Sequence, residues 1–406
     1  MPTSGPGWAG KMIKKTLALA SALVLLLVAL SPVQAQTEIV VPGASARAVF
    51  PTSIDFNLAI EGTVNIIDVR LHYIVDQGGF AQVTSEVKIK FTPATSVAAS
   101  WTWEMIKTGG LPSGTVVDYW WTIEDAGGNK YKTVRQQVHF DDNRYSWRAL
   151  EEDNITLYWY RGDDSFAREL MTTIQEGLAR LAEDTGAHLD EPVKVYIYGS
   201  TQDLHGAMIF PVEWSGGVAY TGQSTIAIGI APSDIGWGKR AVVHELAHMV
   251  THQMTYNPYN YLPTWLSEGL SMYAEGELEG IFLELLEDAV ARDTLISVRS
   301  LASPFSAYPT QSYLSYAQSY SLVEFLISSY GQDKILELLN TFKQGASYDG
   351  ALLSVYGFDM DGLNALWRDY VTEKYPPAGE KAPAPPQLGL FSILDDDVSC
   401  GVGIGC

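Results

Sequence analysis

Two histidines lie four residues apart in an apolar segment, and a glutamate directly follows the first. The segment runs Ala241-Val242-Val243-His244-Glu245-Leu246-Ala247-His248-Met249-Val250. On an α-helix, residues four apart lie on one face, with Cβ atoms about 5–6 Å apart. That spacing lets two imidazole nitrogens reach one ion at about 2.0–2.1 Å, as tetrahedral zinc requires. We therefore predict His244 and His248 as metal ligands, and Glu245 as a group that contacts a metal-bound water without binding the metal.

The alternative interpretation of this segment is a helix with two surface or capping histidines. The apolar residues around His244 and His248 occupy almost every side of the helix, which predicts that the helix is buried. A buried imidazole without a polar partner is costly, and a bound metal removes that cost. The apolar surroundings therefore favour the metal site.

Two residues are candidates for a third ligand. His252 lies four residues after His248, but three histidines along one straight helix cannot all reach one ion, and no glycine follows His248 to break the helix. We interpret His252 as a polar surface residue near the helix end. Glu268 lies one turn inside a second predicted helix, which begins at Pro263-Thr264.

The surroundings of Glu268 are apolar and aromatic, and no lysine or arginine occurs between residues 241 and 291. A buried carboxylate needs a cation, and zinc supplies that charge. The alternative is a solvent-facing glutamate on an amphipathic helix. We predict Glu268 as the third ligand.

The combined motifs resemble those of a known enzyme family. His-Glu-x-x-His followed by Glu268, with nineteen residues between His248 and Glu268, resembles the thermolysin-like gluzincins. The phrase Trp265-Leu266-Ser267-Glu268-Gly269 is similar to the peptidase MA-like families of bacterial exported proteins. The resemblance covers roughly residues 150 to 372. It implies a gluzincin zinc metallopeptidase with one Zn²⁺ per chain, held by His244, His248 and Glu268.

A third stretch adds a catalytic candidate. Residues 316–326 resemble the helix of gluzincin aminopeptidases that begins with a catalytic tyrosine, which implies that Tyr316 donates a hydrogen bond in the transition state. The alternative is that Tyr313, Tyr316 and Tyr320, which are at helical spacing, are core aromatic residues.

The sequence departs from the gluzincin aminopeptidases at the strand that anchors the free amine of the substrate. That strand reads Gly-x-Met-Glu-Asn in those enzymes. The nearest match here is Gly206-Ala207-Met208-Ile209-Phe210, which has isoleucine and phenylalanine in place of the acid and the amide. We therefore expect endopeptidase action, with the strand at residues 225–230 pairing with an extended substrate backbone.

These residues predict peptide-bond hydrolysis by a metal-activated water, with Glu245 as general base and a peptide or protein as substrate. Two alternatives remain open. One is a zinc-containing binding or adhesion protein of the cell surface that does not turn over, and the other is an amide hydrolase that acts on a cell-wall substrate. The presence of Glu245 disfavours the binding role, which does not need a base.

The elements that position these residues belong to the second of two predicted domains. Residues 36–145 contain several short strands, typical of an all-β immunoglobulin- or fibronectin-like sandwich. Within it, residues 116–124 and 131–140 flank a turn at residues 125–129 and predict a hairpin. Residues 150–375 predict a zincin-type metallopeptidase domain, a small sheet followed mostly by helices. The fold class is therefore α+β.

Four elements of the second domain are predicted in detail. A helix follows the acidic cap Asp163-Asp164 and ends before Gly186. A strand covers residues 193–198, and two further helices cover residues 332–342 and 360–370.

The two ends of the chain differ in composition from the two predicted domains. Three lysines before residue 16, an apolar run at residues 17–30 and the triplet Val33-Gln34-Ala35 predict a signal peptide over residues 1–35. A retained membrane anchor is the alternative. Either way we expect export, to a secreted, extracytoplasmic or cell-surface location. Residues 376–406 begin with a proline-rich stretch and predict a linker and flexible tail.

Charge and cysteine content limit the partners. The formal net charge is −21, and removing the three lysines of the signal peptide brings it to about −24, so we expect no nucleic-acid partner. Membrane contact is expected only through an uncleaved signal segment. Cys400 and Cys406 are the only cysteines, so no disulfide is expected within the two domains.

Overall fold

The computed structural model describes residues 39–76, 82–211, 216–278, 280–306 and 308–375, except the side chain of Asp184. The predicted signal peptide (residues 1–35) and the predicted linker and tail (residues 376–406) lie outside the described residues. Among the helices in the described ranges, none has both the length and the apolar character needed to cross a membrane.

The first part of the described chain is built from antiparallel strands. They are β1 (Ile39–Val49), β2 (Ser53–Val75), β3 (Ser85–Lys88), β4 (Ala94–Glu104), β5 (Thr115–Asp125), β6 (Lys130–Lys132) and β7 (Gln136–Phe140). The 23-residue strand β2 connects them, because its first half pairs with β1 and β4 while its second half pairs with β3 and β5. The two halves share one core, in which the ring centroids of Phe56 and Tyr119 lie 5.2 Å apart.

The hairpin predicted around residues 125–129 is confirmed. Strand β5 pairs with β6 and β7 on the far side of the turn. The carboxylate of Asp125 accepts hydrogen bonds from the backbone N–H of Gly127 at 2.8 Å and of Asn129 at 2.9 Å, which holds the turn closed. Gly128 has φ = +80°, a conformation that favours glycine.

A second, five-stranded sheet begins the helix-rich part. It consists of β8 (Arg148–Glu152), β9 (Ile155–Trp159), β10 (Val193–Tyr198), β11 (Gly217–Tyr220) and β12 (Thr225–Gly229), in the order β11-β12-β10-β9-β8. The three central strands run parallel, and the edge strands β8 and β11 run antiparallel to their neighbours. Strands β10 and β12 are buried almost throughout because both faces of the sheet are covered.

The remaining elements are helices. They are α1 (Asp164–Thr185), α2 (Thr201–His205), α3 (Ile235–Thr255), α4 (Thr264–Glu275), α5 (Gly280–Ala291), α6 (Val298–Leu301), α7 (Pro309–Tyr330), α8 (Gln332–Lys343), α9 (Tyr348–Tyr356) and α10 (Met360–Lys374). The α+β class, with an N-terminal β region followed by a helix-rich domain, is confirmed.

The ends of α1 follow the sequence signals. The carboxylate of Asp163 accepts hydrogen bonds from the N–H groups of Ser165 and Phe166, both at 3.0 Å, and satisfies donors that the first helical turn leaves open. Gly186 ends the helix in the left-handed conformation, with φ = +68°. Helix α1 then packs on α3, where Gly177 faces Val243 so closely that an added Cβ would lie 3.0 Å from the valine.

Polar contacts join the β region to the second sheet. The buried carboxylate of Asp142 accepts hydrogen bonds from Arg144 Nη2 at 2.6 Å and from the Tyr198 hydroxyl at 3.2 Å. Lys194 Nζ on β10 donates to the carbonyl oxygen of Gly114 at 2.7 Å. The β region therefore rests on the face of the second sheet opposite to α1 and α3.

Candidate active site

Helix α3 carries the central residues through the core. Its apolar side chains on nearly every side bury it, and His244 and Glu245 are only 3% and 1% exposed. The ring centroids of His244 and His248 lie 4.9 Å apart, and the ring planes meet at 79°. The predicted burial of this helix is confirmed.

Helix α4 brings the third predicted ligand to these two rings. Glu268 Oε2 lies 3.4 Å from Nε2 of His244 and 3.4 Å from Nε2 of His248. One ligand atom from each residue lies within 4.8 Å of the other two, so the cluster can hold a metal ion. The three residues lie at most 24 positions apart in the sequence. The structure brings them together, as the sequence predicts.

The donor atoms themselves fit a metal. In the described structure, Nε2 of His244, Nε2 of His248 and Oε2 of Glu268 are buried and form no hydrogen bond. Buried polar atoms are normally satisfied, so three such atoms facing one point need a shared partner. Two imidazole nitrogens and one carboxylate oxygen are the protein ligands of several catalytic zinc sites.

The charges of the cluster also favour a cation. Burial alone would raise the pKa of Glu268, but the charge of His248 and the closeness of both histidine rings outweigh it and lower the pKa to about 2. Burial alone would lower the pKa of His244, yet the carboxylates of Glu268 and Glu275 raise it well above its usual value. The carboxylates therefore attract positive charge to this point, which a metal ion can supply.

A second layer of residues orients the histidines, and sequence reasoning missed it. Nδ1 of His244 lies 2.7 Å from Oε1 of Glu275, and Nδ1 of His248 lies 3.1 Å from Oγ of Ser267 and 3.2 Å from Oγ of Ser271. With Nε2 facing the metal position, Nδ1–H of each ring donates to these oxygens. Helical spacing could have indicated Glu275, because it lies seven residues, or two turns, after Glu268 and therefore on the same face of the helix.

Glu245 lies against the edge of the second sheet. A Cβ added to Gly217 on β11 would lie 2.8 Å from Oε1 of Glu245, so only glycine leaves room for the carboxylate. Burial raises the pKa of Glu245 to about 7. The carboxylate therefore lies between the histidines and strand β11.

One prediction about the neighbouring strands is wrong. Strand β12, expected to pair with substrate, is internal, since it pairs with β10 on one side and β11 on the other. The edge strand is β11, which was missed because four residues are too few to show an alternating pattern. Residues 206–210 follow α2 and form no strand. None of the four residues of β11 is acidic.

Helix α7 carries Tyr316. The residue is fully buried, and its ring centroid lies 6.3 Å from that of His244. Gly269 permits this approach, because a Cβ there would lie 2.3 Å from the carbonyl oxygen of Ser319. The structure therefore places Tyr316 beside the cluster. Its neighbour Tyr320 instead packs on another tyrosine of the core, Tyr273.

His252 does not join the cluster, but it is not an open surface residue either. It is half-buried and borders a cavity that also contacts His248 and Glu268. Burial lowers the pKa of His252 to about 4. The expectation of a polar surface position is corrected, because the segment after α3 folds back over this side of the helix.

A comparison of the sequence with protein families agrees with the geometry of this cluster. Residues 173–373 match the sequence model of the Peptidase MA superfamily. This part of the chain belongs to that superfamily. The peptidase MA domain contains α3, α4 and α7, and with them the whole cluster. No curated protein matches the chain.

Three solved structures that are similar to parts of this chain have low sequence identity to it. The M1 zinc metallopeptidase from Deinococcus radiodurans is 14% identical over 87% of this chain and 97% of that chain, with a TM-score of 0.36. An aminopeptidase N family protein from Idiomarina loihiensis is 12% identical over 80% of this chain and 69% of that chain, with a TM-score of 0.31. A β-1,3-glucan binding domain of carbohydrate-binding module family 56 is 17% identical over 25% of this chain and 99% of that chain, with a TM-score of 0.17.

Proposed function

We propose that this protein is a zinc-dependent endopeptidase. The observation that carries the proposal is the meeting of three buried ligand atoms, from His244, His248 and Glu268, next to the carboxylate of Glu245. The peptidase MA domain supports peptide hydrolysis as the reaction class. Because the sequence predicts a signal peptide, we also propose that the enzyme acts outside the cytoplasm.

In this proposal His244, His248 and Glu268 hold one zinc ion. Bound zinc supplies Lewis-acid chemistry and makes a coordinated water easier to deprotonate. Glu245 accepts a proton from the water that attacks the peptide carbonyl and later transfers it to the leaving amine. Water adds across the C–N bond, so the products are one carboxylic acid and one amine.

Two neighbouring elements support the same reaction. Among the described strands, β11 pairs only with β12, and we propose that an extended peptide pairs along its other side, near Glu245. The buried hydroxyl of Tyr316 is proposed to donate a hydrogen bond to the oxyanion that forms at the carbonyl. Both roles fit a substrate that crosses the site along β11.

The choice of endopeptidase over aminopeptidase rests on charge. An aminopeptidase needs an acidic group to bind the free α-amine of its substrate. Strand β11 has no acidic residue, and Glu268 and Glu275 are already engaged with the two histidines. From the carboxylates that the structure describes at the site, we propose that a substrate chain continues past the site toward its own N-terminus.

A peptide mixture tests this function. Purified protein is incubated with peptides of mixed sequence, half of them N-acetylated, with and without a zinc chelator, and products are identified by mass spectrometry. We expect internal, chelator-sensitive cleavage of free and acetylated peptides alike. Cleavage of free N-terminal residues only would indicate an aminopeptidase, and absence of chelator-sensitive cleavage would favour a binding protein or an amidase of other substrates.

A further inference from the structure

A cavity of about 160 Å³ opens beside the metal cluster. Its inner end contacts the ligands His248 and Glu268. The walls are formed by the residue after β11, by the last turns of α3 and by the segment between α3 and α4. The lining residues used below are, in that order, Thr221, then Thr251, His252 and Thr255, then Tyr256 and Tyr261. A substrate residue next to the scissile bond can direct its side chain into this cavity.

The size of the cavity suits one aromatic ring. A protein cavity of about 150 Å³ accommodates benzene. A single six-membered ring therefore fits, whereas a small side chain such as alanine leaves most of the volume unfilled. Size thus favours a ring over a small side chain.

The walls offer aromatic surface and neutral polar groups. The rings of His252 and Tyr256 lie at 61°, with centroids 5.5 Å apart, and Tyr261 is 61% exposed at the opening. Aromatic rings pack favourably in such tilted arrangements at 4.5–7 Å. Thr251 and Thr255 on α3 also line the cavity, and because their hydroxyls donate to carbonyl oxygens of the helix, their oxygens can accept from a phenol hydroxyl.

Charge excludes the ionic side chains. No lysine or arginine occurs among the described residues that line the cavity, so the protein side chains offer an acidic group no counter-ion, and in the proposed function the zinc charge is balanced by Glu268 and directed to the scissile carbonyl. Glu268, the one carboxylate in the described lining, is thus committed to the metal and does not neutralise a basic side chain. Burying an unpaired charge is costly, so the cavity selects neutral groups.

We propose that this cavity is a specificity pocket for phenylalanine or tyrosine next to the scissile bond, with His252 and Tyr256 as its selective walls. The proposal rests on the proposed endopeptidase function. It adds the class of side chain that the enzyme recognises.

The test uses peptides that differ only at the residue beside the cleaved bond: phenylalanine, tyrosine, leucine, alanine, lysine or glutamate. We expect kcat/KM for the two aromatic peptides to exceed that for alanine by about tenfold or more, with lysine and glutamate lowest. Cleavage with equal kcat/KM for all six would overturn the pocket assignment and leave the endopeptidase function standing. Absence of cleavage of every peptide would contradict the function itself.

Two variants connect the preference to the cavity. Thr255→Phe fills the cavity and is expected to reduce kcat/KM for the phenylalanine peptide about tenfold more than kcat/KM for the alanine peptide. Tyr256→Ala removes a wall and is expected to lower the phenylalanine-to-alanine ratio. Tyr259→Ala is the matched control, since Tyr259 is 93% exposed and lies outside the lining. A preference unchanged in both cavity variants would contradict the proposal.

A binding measurement separates recognition from turnover. In the Glu245→Gln background, calorimetry with the phenylalanine and alanine peptides gives dissociation constants without cleavage. We expect tighter binding of the phenylalanine peptide, and loss of that difference when Tyr256→Ala is added. Equal affinities for both peptides would overturn the pocket assignment.

Discussion

Glu275 and His244 form a close pair in which Oε1 of the carboxylate lies 2.7 Å from Nδ1 of the imidazole. Glu275 is on α4, two turns after the ligand Glu268. One helix therefore supplies both a direct ligand and the carboxylate that orients a second ligand. The other histidine, His248, is oriented by hydroxyl groups of the same helix.

Glu275→Gln is expected to weaken zinc binding about 10–100-fold, the usual effect of losing such an outer carboxylate. The amide keeps the size of the side chain but removes the negative charge that makes His244 a stronger ligand. Calorimetric titration of metal-free protein with Zn²⁺ measures the change. Glu277→Gln is the control, because Glu277 is exposed two residues further along the chain. Equal affinities in both variants would contradict this role.

Gly217→Ala is expected to lower kcat/KM by about tenfold to a hundredfold, because the new Cβ displaces the Glu245 carboxylate and small displacements of a catalytic group have effects of this size. Zinc content is expected to stay at the wild-type value, since the three atoms nearest to the added Cβ all belong to Glu245. Gly222→Ala is the control, with no atom within 4 Å of the added Cβ. Full activity of Gly217→Ala would show that Glu245 tolerates the shift.

Tyr316→Phe tests the proposed oxyanion donor. Removing one such donor typically lowers kcat by about 10²–10³-fold. We expect that loss in kcat with little change in KM and with zinc retained. Tyr320→Phe, one turn later on α7, removes the hydroxyl of a ring that packs on the ring of Tyr273 and is expected to leave kcat unchanged. Similar kcat values for the two variants would assign Tyr316 to the core instead.

Gly269→Ala tests the close approach of α4 and α7. The added Cβ would lie 2.3 Å from a backbone oxygen, so the helices must separate, at a cost of about 1–3 kcal/mol of unfolding free energy. Gly236→Ala, at an exposed helical position with no atom within 4 Å, is expected to stabilise the protein by roughly 0.5–1 kcal/mol. Urea unfolding measures both. A stabilised Gly269→Ala variant would contradict the tight crossing.

The sequence was informative where the signal is local. The cap at Asp163, the end at Gly186, the strand β10 and the start of α4 at Thr264 all follow from neighbouring residues, and the structure confirms them. The meeting of His244, His248 and Glu268 could also be predicted, because the ligand types and their apolar surroundings allow few other arrangements.

The rest depends on contacts between distant segments. No local pattern distinguishes the edge strand β11 from the internal strand β12, because position in a sheet is decided by pairing partners. The cavity beside His252 exists because the segment after α3 folds back over the helix. In the same way, the 23-residue strand β2 is interrupted in sequence by polar and glycine residues, and only its pairing on both sides makes it one strand.

The most direct test of the account measures zinc content and peptide cleavage together in Glu245→Gln and Glu268→Ala. We predict that Glu245→Gln retains one zinc per chain but loses peptide cleavage, and that Glu268→Ala loses the zinc, with His252→Ala as a control that keeps it. Metal content is measured by mass spectrometry on dialysed protein, and cleavage on a peptide that the wild-type protein hydrolyses. A Glu245→Gln variant that binds zinc and cleaves at the wild-type rate would contradict the account.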